Sequence, residues 1–295
     1  MNVNSMTRVD KNIRRINIIC LVIILLLILV PMIYVLLASF MAPDTLLSKG
    51  VSLNPADWTV EGYRRVFSDK SILRGFFNSL IYSFGFATLN VVVTMMAAYP
   101  MSRDDLVFKK GIYVFFVITM FFGGGLVPTY LLVKNLGMLD TVWALILPGC
   151  LSVFNLFLAQ VYIKTLPKEM IEAAKVDGAS EIQVFTKIIV PLSKSIMFVI
   201  FLYSFVGMWN SYFDAMIYIK SPELEPLQIV LRKILVQNQP NMNMIGQQTA
   251  MAELKKIAEL VKYSTIVVSS VPLIVMFPFF QKYFEKGISV GAVKG

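Results

Sequence analysis

The sequence predicts an all-α polytopic membrane protein with six transmembrane helices and a cytoplasmic two-helix loop. Two bulk properties and one pattern carry this expectation. Of 295 residues, 57% are hydrophobic and 15% charged, and the mean hydropathy is +0.71. An ordinary soluble domain has about 25% charged residues, and a soluble core cannot absorb this much apolar surface, so a bilayer is the expected solvent. The pattern is a series of six stretches, each close to the roughly 20 apolar residues that cross a hydrocarbon core as helix.

The stretches are residues 18–38, 76–100, 111–133, 142–163, 195–213 and 263–280, and none contains Asp, Glu, Lys or Arg. Arg8, Lys11, Arg14 and Arg15 precede the first as the n-region of a secretory signal would. Its apolar run exceeds the 7–15 residues of a signal's apolar region, so it reads as a retained helix. With the N-terminus inside, the cytoplasmic segments hold 15 Lys and Arg against 8 acids and the external ones 12 against 10. That asymmetry follows the positive-inside tendency, and the cluster before the first span is its firmest part. Both termini are therefore expected in the cytoplasm.

Residues 1–17 read as a cytoplasmic tail, 18–285 as one transmembrane domain containing the loop 164–194, and 286–295 as a second cytoplasmic tail. Two external segments are long. One, residues 42–74, is rich in turn formers (Pro43, Gly50, Asn54, Pro55, Asp57), and the other, residues 214–262, carries the polar run Gln237 to Asn241. Within the second, Met251, Leu254, Ile257, Ala258 and Val261 have the spacing of an amphipathic helix over 249–262. No internal repeat or low-complexity segment stands out.

Composition also excludes chemistry. There is no His, so His metal sites and His bases are absent, and Cys20 and Cys150 sit in separate apolar stretches that offer no disulfide framework. The net charge of +9 is dispersed between apolar segments, which favours an anionic membrane surface over nucleic acid. No span carries an ionisable residue, so the machinery of an ion-coupled carrier is missing. A phosphate-cradling Walker loop needs Gly-Lys, and that dipeptide does not occur. Uphill transport by this chain would draw its energy from another protein.

The loop from Pro167 to Pro191 reads as two short helices joined by a tight turn. Pro167 suits the first helical position, Gly178 a left-handed helix terminus, and Ser180 with Gln183 a capping box. Ala173 and Ala174 keep one surface small, and Pro191 is expected to end the element.

This segment resembles the EAA motif of ABC importer permeases: Glu-Ala-Ala, three residues, Gly, nine residues, Ile, one residue, Leu-Pro. Glu172, Ala173, Ala174, Gly178, Ile188 and Pro191 match, and Val190 stands where Leu is usual. Trp209-Asn210 and the tail from Gly287 to Gly295 are similar to the carbohydrate, maltose-permease-like branch of that family, and the run from Gly123 to Gly137 is similar to permeases for complex oligosaccharides. The resemblance implies a subunit of a bacterial plasma-membrane importer that carries a sugar inward and is not itself an enzyme. It implies a coupling loop, here including Asp177, that docks on an ATPase, and a tail that reaches the ATPase interface. The implied partners are a second permease, forming a heterodimer, two ATPases that bind the ATP and Mg, an external solute-binding protein and membrane lipid. No cofactor, metal or catalytic residue is implied for this chain. A non-sugar solute such as a peptide remains the alternative within transport, and an ion-coupled carrier the alternative outside it.

Pathway candidates come from polar residues sharing helix faces: Ser79, Tyr82, Ser83, Asn90 and Thr94 in the second span, Ser152, Asn155 and Ala159 in the fourth, and Ser204, Gly207 and Ser211 in the fifth. Small and hydroxyl residues also serve helix packing. Asn90, Asn155 and Asn210 have the stronger claim to a pathway, because a buried amide needs a partner that a sugar hydroxyl can supply. Trp209 reads either as a sugar-stacking ring or as an interfacial anchor. No charged residue is expected on the pathway. Gly123 to Gly125 with Pro128 should weaken the third helix, as a hinge or as a close-packing site.

Overall fold

The computed structural model describes residues 8–237, 258 and 261–281. The expected amphipathic helix at 249–262, the polar run after Gln237 and the tail at 286–295 lie wholly or mostly outside these. Among the described residues every regular element is helical, apart from an isolated antiparallel bridge between Met41 and Trp58. The chain forms two compact units, Met1–Asp69 with Lys233–Ser270 and Lys70–Arg232 with Val271–Gly295.

In the first unit, α1 (Arg8–Ala38) has 31 residues, about 46 Å at 1.5 Å per residue. Its apolar side chains from Ile13 to Tyr34 are exposed all round, as a helix facing lipid or another membrane helix requires. Beyond it the chain folds back: the Thr59 amide donates to the Phe40 carbonyl and the Ala42 amide to that of Asp57 at 3.1 Å. Two short helices flank this corner, α2 (Pro43–Lys49), with Pro in its first turn, and α3 (Glu61–Ser68). Ser39 pins it, its hydroxyl 2.6 Å from the Tyr63 hydroxyl and its carbonyl accepting from the Ser264 hydroxyl at 3.2 Å.

The second unit is organised around α4 (Lys70–Ser102), a 33-residue helix. There follow α5 (Lys109–Phe121), α6 (Leu126–Asn135), α7 (Trp143–Ile146), α8 (Val153–Lys164), α9 (Lys168–Val176), α10 (Glu181–Leu192), α11 (Lys194–Asn210), α12 (Phe213–Tyr218) and α13 (Leu227–Gln237). A final long helix, α14 (Val261–Gln281), closes the described chain. Helix α4 packs along α11 and α8. Met95, Ala98, Leu156, Ala159, Ile189 and Ile200 form the fully buried seam between them, and the alanines let backbones approach closely, as membrane helix pairs require.

Three of the six expected spans are single helices long and apolar enough to cross a membrane: α1, α4 and α14. The others are broken. The expected third span is split into α5 and α6, which meet at 108°. The break falls at the triple glycine, where Gly125 caps α6 with φ +85° and ψ 172°, a conformation that side chains with a Cβ avoid. The expected fourth span is interrupted between Ile146 and Val153, around Pro148 and Gly149, so α8 has only 12 residues, about 18 Å. The fifth ends at Asn210, three residues early, because Ser211 is extended (φ −72°, ψ 126°).

Candidate solute cavity and coupling surface

Where α4, α8 and α11 meet beside the broken fourth span, the second unit lines an open cavity of about 780 Å³. Its wall combines apolar rings with small and polar side chains: Phe86 and Asn90 from α4, Ser152 and Asn155 at the start of α8, Tyr203, Ser204 and Gly207 from α11, then Ser211, Asp214 and Tyr218. The interruption at Pro148 and Gly149 creates the space, because a helix continued through it would fill the gap with side chains. Ser152 then restarts the helix by accepting from the Asn155 amide at 3.4 Å.

Asn90 is 1% exposed and is the polar knot of this region. Its Oδ1 accepts from Asn155 Nδ2 at 3.2 Å, from Ser204 Oγ at 3.0 Å and from Thr94 Oγ1 at 3.4 Å. Its Nδ2 donates to the Cys150 carbonyl at 3.0 Å. One amide thus joins three helices and the broken segment. Asn155 lies beside it on the cavity wall. The other two amide and indole candidates are elsewhere. Trp209 is 1% exposed, stacked on Phe205 at 6.0 Å and edge-on to Phe76 at 5.6 Å. Asn210 is exposed and donates to the Val206 carbonyl of its own helix at 3.0 Å.

The cavity wall also holds a charged residue that the expected uncharged pathway did not include, Asp214 in the first turn of α12. Partial burial pushes its carboxyl pKa above the ordinary value. Asp214 lies one residue past the apolar run, in a separate short helix beyond the extended Ser211, so the periodicity of the fifth span does not find it.

The EAA-like segment folds as a helix–turn–helix outside the apolar spans. Pro167 is the cap of α9, one residue earlier than expected (φ −59°, ψ 119°). Asp177 ends that helix, and Gly178 turns the chain with φ +81°. Ser180 and Gln183 form a reciprocal capping box at the start of α10. Ala173 and Ala174 do not share a surface: Ala173 is exposed, while Ala174 packs against the core. Glu172 is exposed and lines a cleft of about 450 Å³ with Arg103, Asp104 and Lys175 among others. Asp177, Gly178 and Ile188 border a second cleft of about 430 Å³ between the two short helices. Met170, Val176 and Ile182 are exposed apolar residues on this loop, Val176 at 88%.

Pro191 does not end the element. It sits within the last turn of α10, and the chain bends 76° only after Leu192. Residues Phe185–Ile189 form a π-turn. A proline ring clashes with the carbonyl four residues back, here that of Lys187, and the wider turn moves that carbonyl aside.

A polar cluster that single-sequence reasoning passed over ties the loop to α4. Glu181 accepts from the Tyr99 hydroxyl at 2.7 Å and pairs with Lys175 at 3.1 Å and with Arg103. Arg103 also pairs with Asp105, while Lys109 and Lys168 reach Asp104 at 3.1 and 3.3 Å. Arg103, first, and the Tyr99 hydroxyl hold the Glu181 carboxyl down to about 2, and Arg103 likewise holds Asp105 to about 2. Buried Gln160 adds a bond from α8 to the Met101 carbonyl at 2.8 Å.

Residues 1–290 match the family model described as the binding-protein-dependent transport system inner membrane component. The polygalacturonan/rhamnogalacturonan transport system permease protein YtcP of Bacillus subtilis is 34% identical over 273 residues, 92% of this chain and 94% of that protein. Protein LplC of the same organism is 35% identical over 268 residues, 90% of each chain. The crystal structure of a bacterial ABC transporter involved in the import of the acidic polysaccharide alginate superposes with a TM-score of 0.84 at 28% identity, over 95% of this chain and 99% of that one.

Proposed function

The chain belongs to the family of binding-protein-dependent transport system inner membrane components, and from that premise we propose that it is one half of the pore of an importer for an oligosaccharide. It is a multi-pass membrane transport component and not an enzyme, and such permeases work with a second permease, ATPase subunits and a binding protein. The observation that carries the proposal is the EAA-like segment folded as an exposed, capped helix–turn–helix in a chain that matches the family model over residues 1–290.

The second permease is a different chain, so the pore is a heterodimer. Both termini and residues 164–194 face the cytoplasm. Glu172, Ala173, Asp177, Gly178 and Ile188, with exposed Met170 and Val176 beside them, form the surface on which an ATPase docks, with Ala174 and Pro191 shaping it from within. The tail 286–295 reaches the ATPase pair, and ATP and Mg are bound there and not by this chain. ATP-driven closure of the ATPases moves the loop. The Glu181 cluster passes that displacement to the end of α4, and the cavity beside Asn90 and Asn155 changes its exposure from one side to the other. The solute is read as a glycan because relatives bear polysaccharide names and because hydroxyls, amides and aromatic rings line the cavity.

Reconstitution of the complete complex in proteoliposomes tests this. Glycans of differing composition should stimulate ATP hydrolysis and accumulate inside only with both permeases, the ATPases and the binding protein present. Stimulation by oligopeptides with no response to any glycan would overturn the carbohydrate assignment.

A further inference from the structure

Asp214 carries a consequence that the family assignment does not contain. It is the charged residue on the described wall of the 780 Å³ cavity, whose other lining residues are neutral. Among the described residues no Lys or Arg forms an ion pair with it. The Arg232 guanidinium lies 5.3 Å over the Tyr212 ring, and the Lys220 backbone is held by Asp140, which accepts from the Lys220 and Ser221 amides at 2.9 Å. The other groups reaching into the space, Asn155, Ser211, Thr129 and Tyr203, are hydroxyls and an amide that exchange hydrogen bonds with neutral partners.

A carboxylate on the wall of a passage repels a second carboxylate moving past it, the more strongly the more water the passing solute displaces. It also accepts hydrogen bonds from hydroxyls, and those to a charged acceptor are the stronger kind. An acidic glycan would need a cation on the wall, and this half of the pathway provides the opposite charge.

We propose that Asp214 makes this half of the pathway select uncharged, hydroxyl-bearing glycans and disfavour uronate-bearing ones. The proposal rests on the reading of this cavity as a glycan pathway.

The test uses the complete reconstituted complex with Cys20 and Cys150 replaced by Ser and a reporter Ser211→Cys on the cavity wall. Cationic and anionic methanethiosulfonates of matched size are compared, each normalised to its rate with a free thiol. The cationic reagent should react at least tenfold faster, and adding Asp214→Asn should bring the ratio to within about twofold of unity. In parallel, uptake of a neutral galacto-oligosaccharide and of a galacturonate oligomer of equal length is measured, with the ratio compared between the parent and Asp214→Asn so that the binding protein's own preference cancels. The neutral-to-acidic ratio should fall several-fold in the variant. Equal labelling by both reagents in the parent, or an uptake ratio that Asp214→Asn leaves unchanged, would overturn the proposal while leaving the glycan reading intact. Uptake of neither glycan, with charge-selective labelling retained, would overturn the glycan reading and with it the assigned solute class.

Discussion

Replacing Asn90 by Leu distinguishes a helix lock from a solute contact, because the two roles predict different magnitudes in different assays. Leu nearly conserves volume, so little cavity cost is expected, and the effect comes from partners left without Asn90. Thr94 and Ser204 hydroxyls can turn back to carbonyls of their own helices. Asn155 Nδ2, held at 3.2 Å, and the Cys150 carbonyl, at 3.0 Å, have no such local recourse. Each orphaned buried group costs about 1–3 kcal/mol, so about 2–6 kcal/mol is lost in total. A neutral bond to a passing solute would be worth only about 0.5–1.5 kcal/mol. Thermal unfolding of the detergent-solubilised complex should show Asn90→Leu melting at least about 5 °C lower, with uptake per folded complex reduced less than the yield of folded complex. An unchanged melting temperature together with a several-fold loss of uptake would refute the lock and return the amide to the pathway.

Two further substitutions probe the loop. The depressed pKa of Glu181 means that its stabilisation is complete above the unfolded value of about 4.3 and is lost as pH falls through about 2. Because the group is half exposed, its contribution is of the order of 1 kcal/mol. Glu181→Gln should therefore raise deuterium exchange of residues 168–192 a few-fold at pH 7, and correction for intrinsic rates should leave the acid-induced loosening in the parent only. Identical exchange in both proteins would dismiss the cluster as a structural link. Gly178→Val places a β-branched residue at φ +81°, where a Cβ costs at least about 1–2 kcal/mol. The complex should still reach the membrane while hydrolysis continues with little uptake, and parental uptake per ATP would contradict the docking role of the turn.

The parts of the fold legible in the sequence are those set by local rules. Charge-free apolar runs locate the membrane helices, and the capping box at Ser180 with the left-handed Gly178 depends on residues a few positions apart. Hydropathy averages over a window, so it passes smoothly through Gly123–Gly125 and Pro148-Gly149, where the backbone breaks inside an apolar run. The cluster joining Tyr99 to Glu181 spans 82 positions and leaves no periodic trace. Asn90 was legible as a residue needing partners, but not that neighbouring helices supply them. Asp214 escaped because the apolar run stops at Phe213 and the residue belongs to a separate short helix beyond the extended Ser211.

The two polar clusters of the second unit differ in strength, and that difference indicates where motion is allowed. The Asn90 knot is buried and ties α4 to α8, α11 and the Cys150 carbonyl through four hydrogen bonds, and Gln160 adds another buried tie at the far end of α4. The Glu181 cluster is half exposed and screened by solvent. Glu181 and Asn90 are joined by about nine residues of continuous helix from Asn90 to Tyr99, close to 14 Å at 1.5 Å per residue. A helix of that length is stiff, so a displacement applied at Glu181 arrives at the cavity wall as a rigid movement of α4. Were the force to exceed what the exposed ion pairs hold, they would yield before the buried knot. Under such a force the α4–α8–α11 body would move as one piece. Within this unit the weaker joints are the half-exposed ion pairs of the loop attachment and the break at Gly125, where α5 and α6 meet at 108°. Rigid bodies separated by a few weak joints can switch between two discrete arrangements, which a permease driven by a partner's ATP hydrolysis needs.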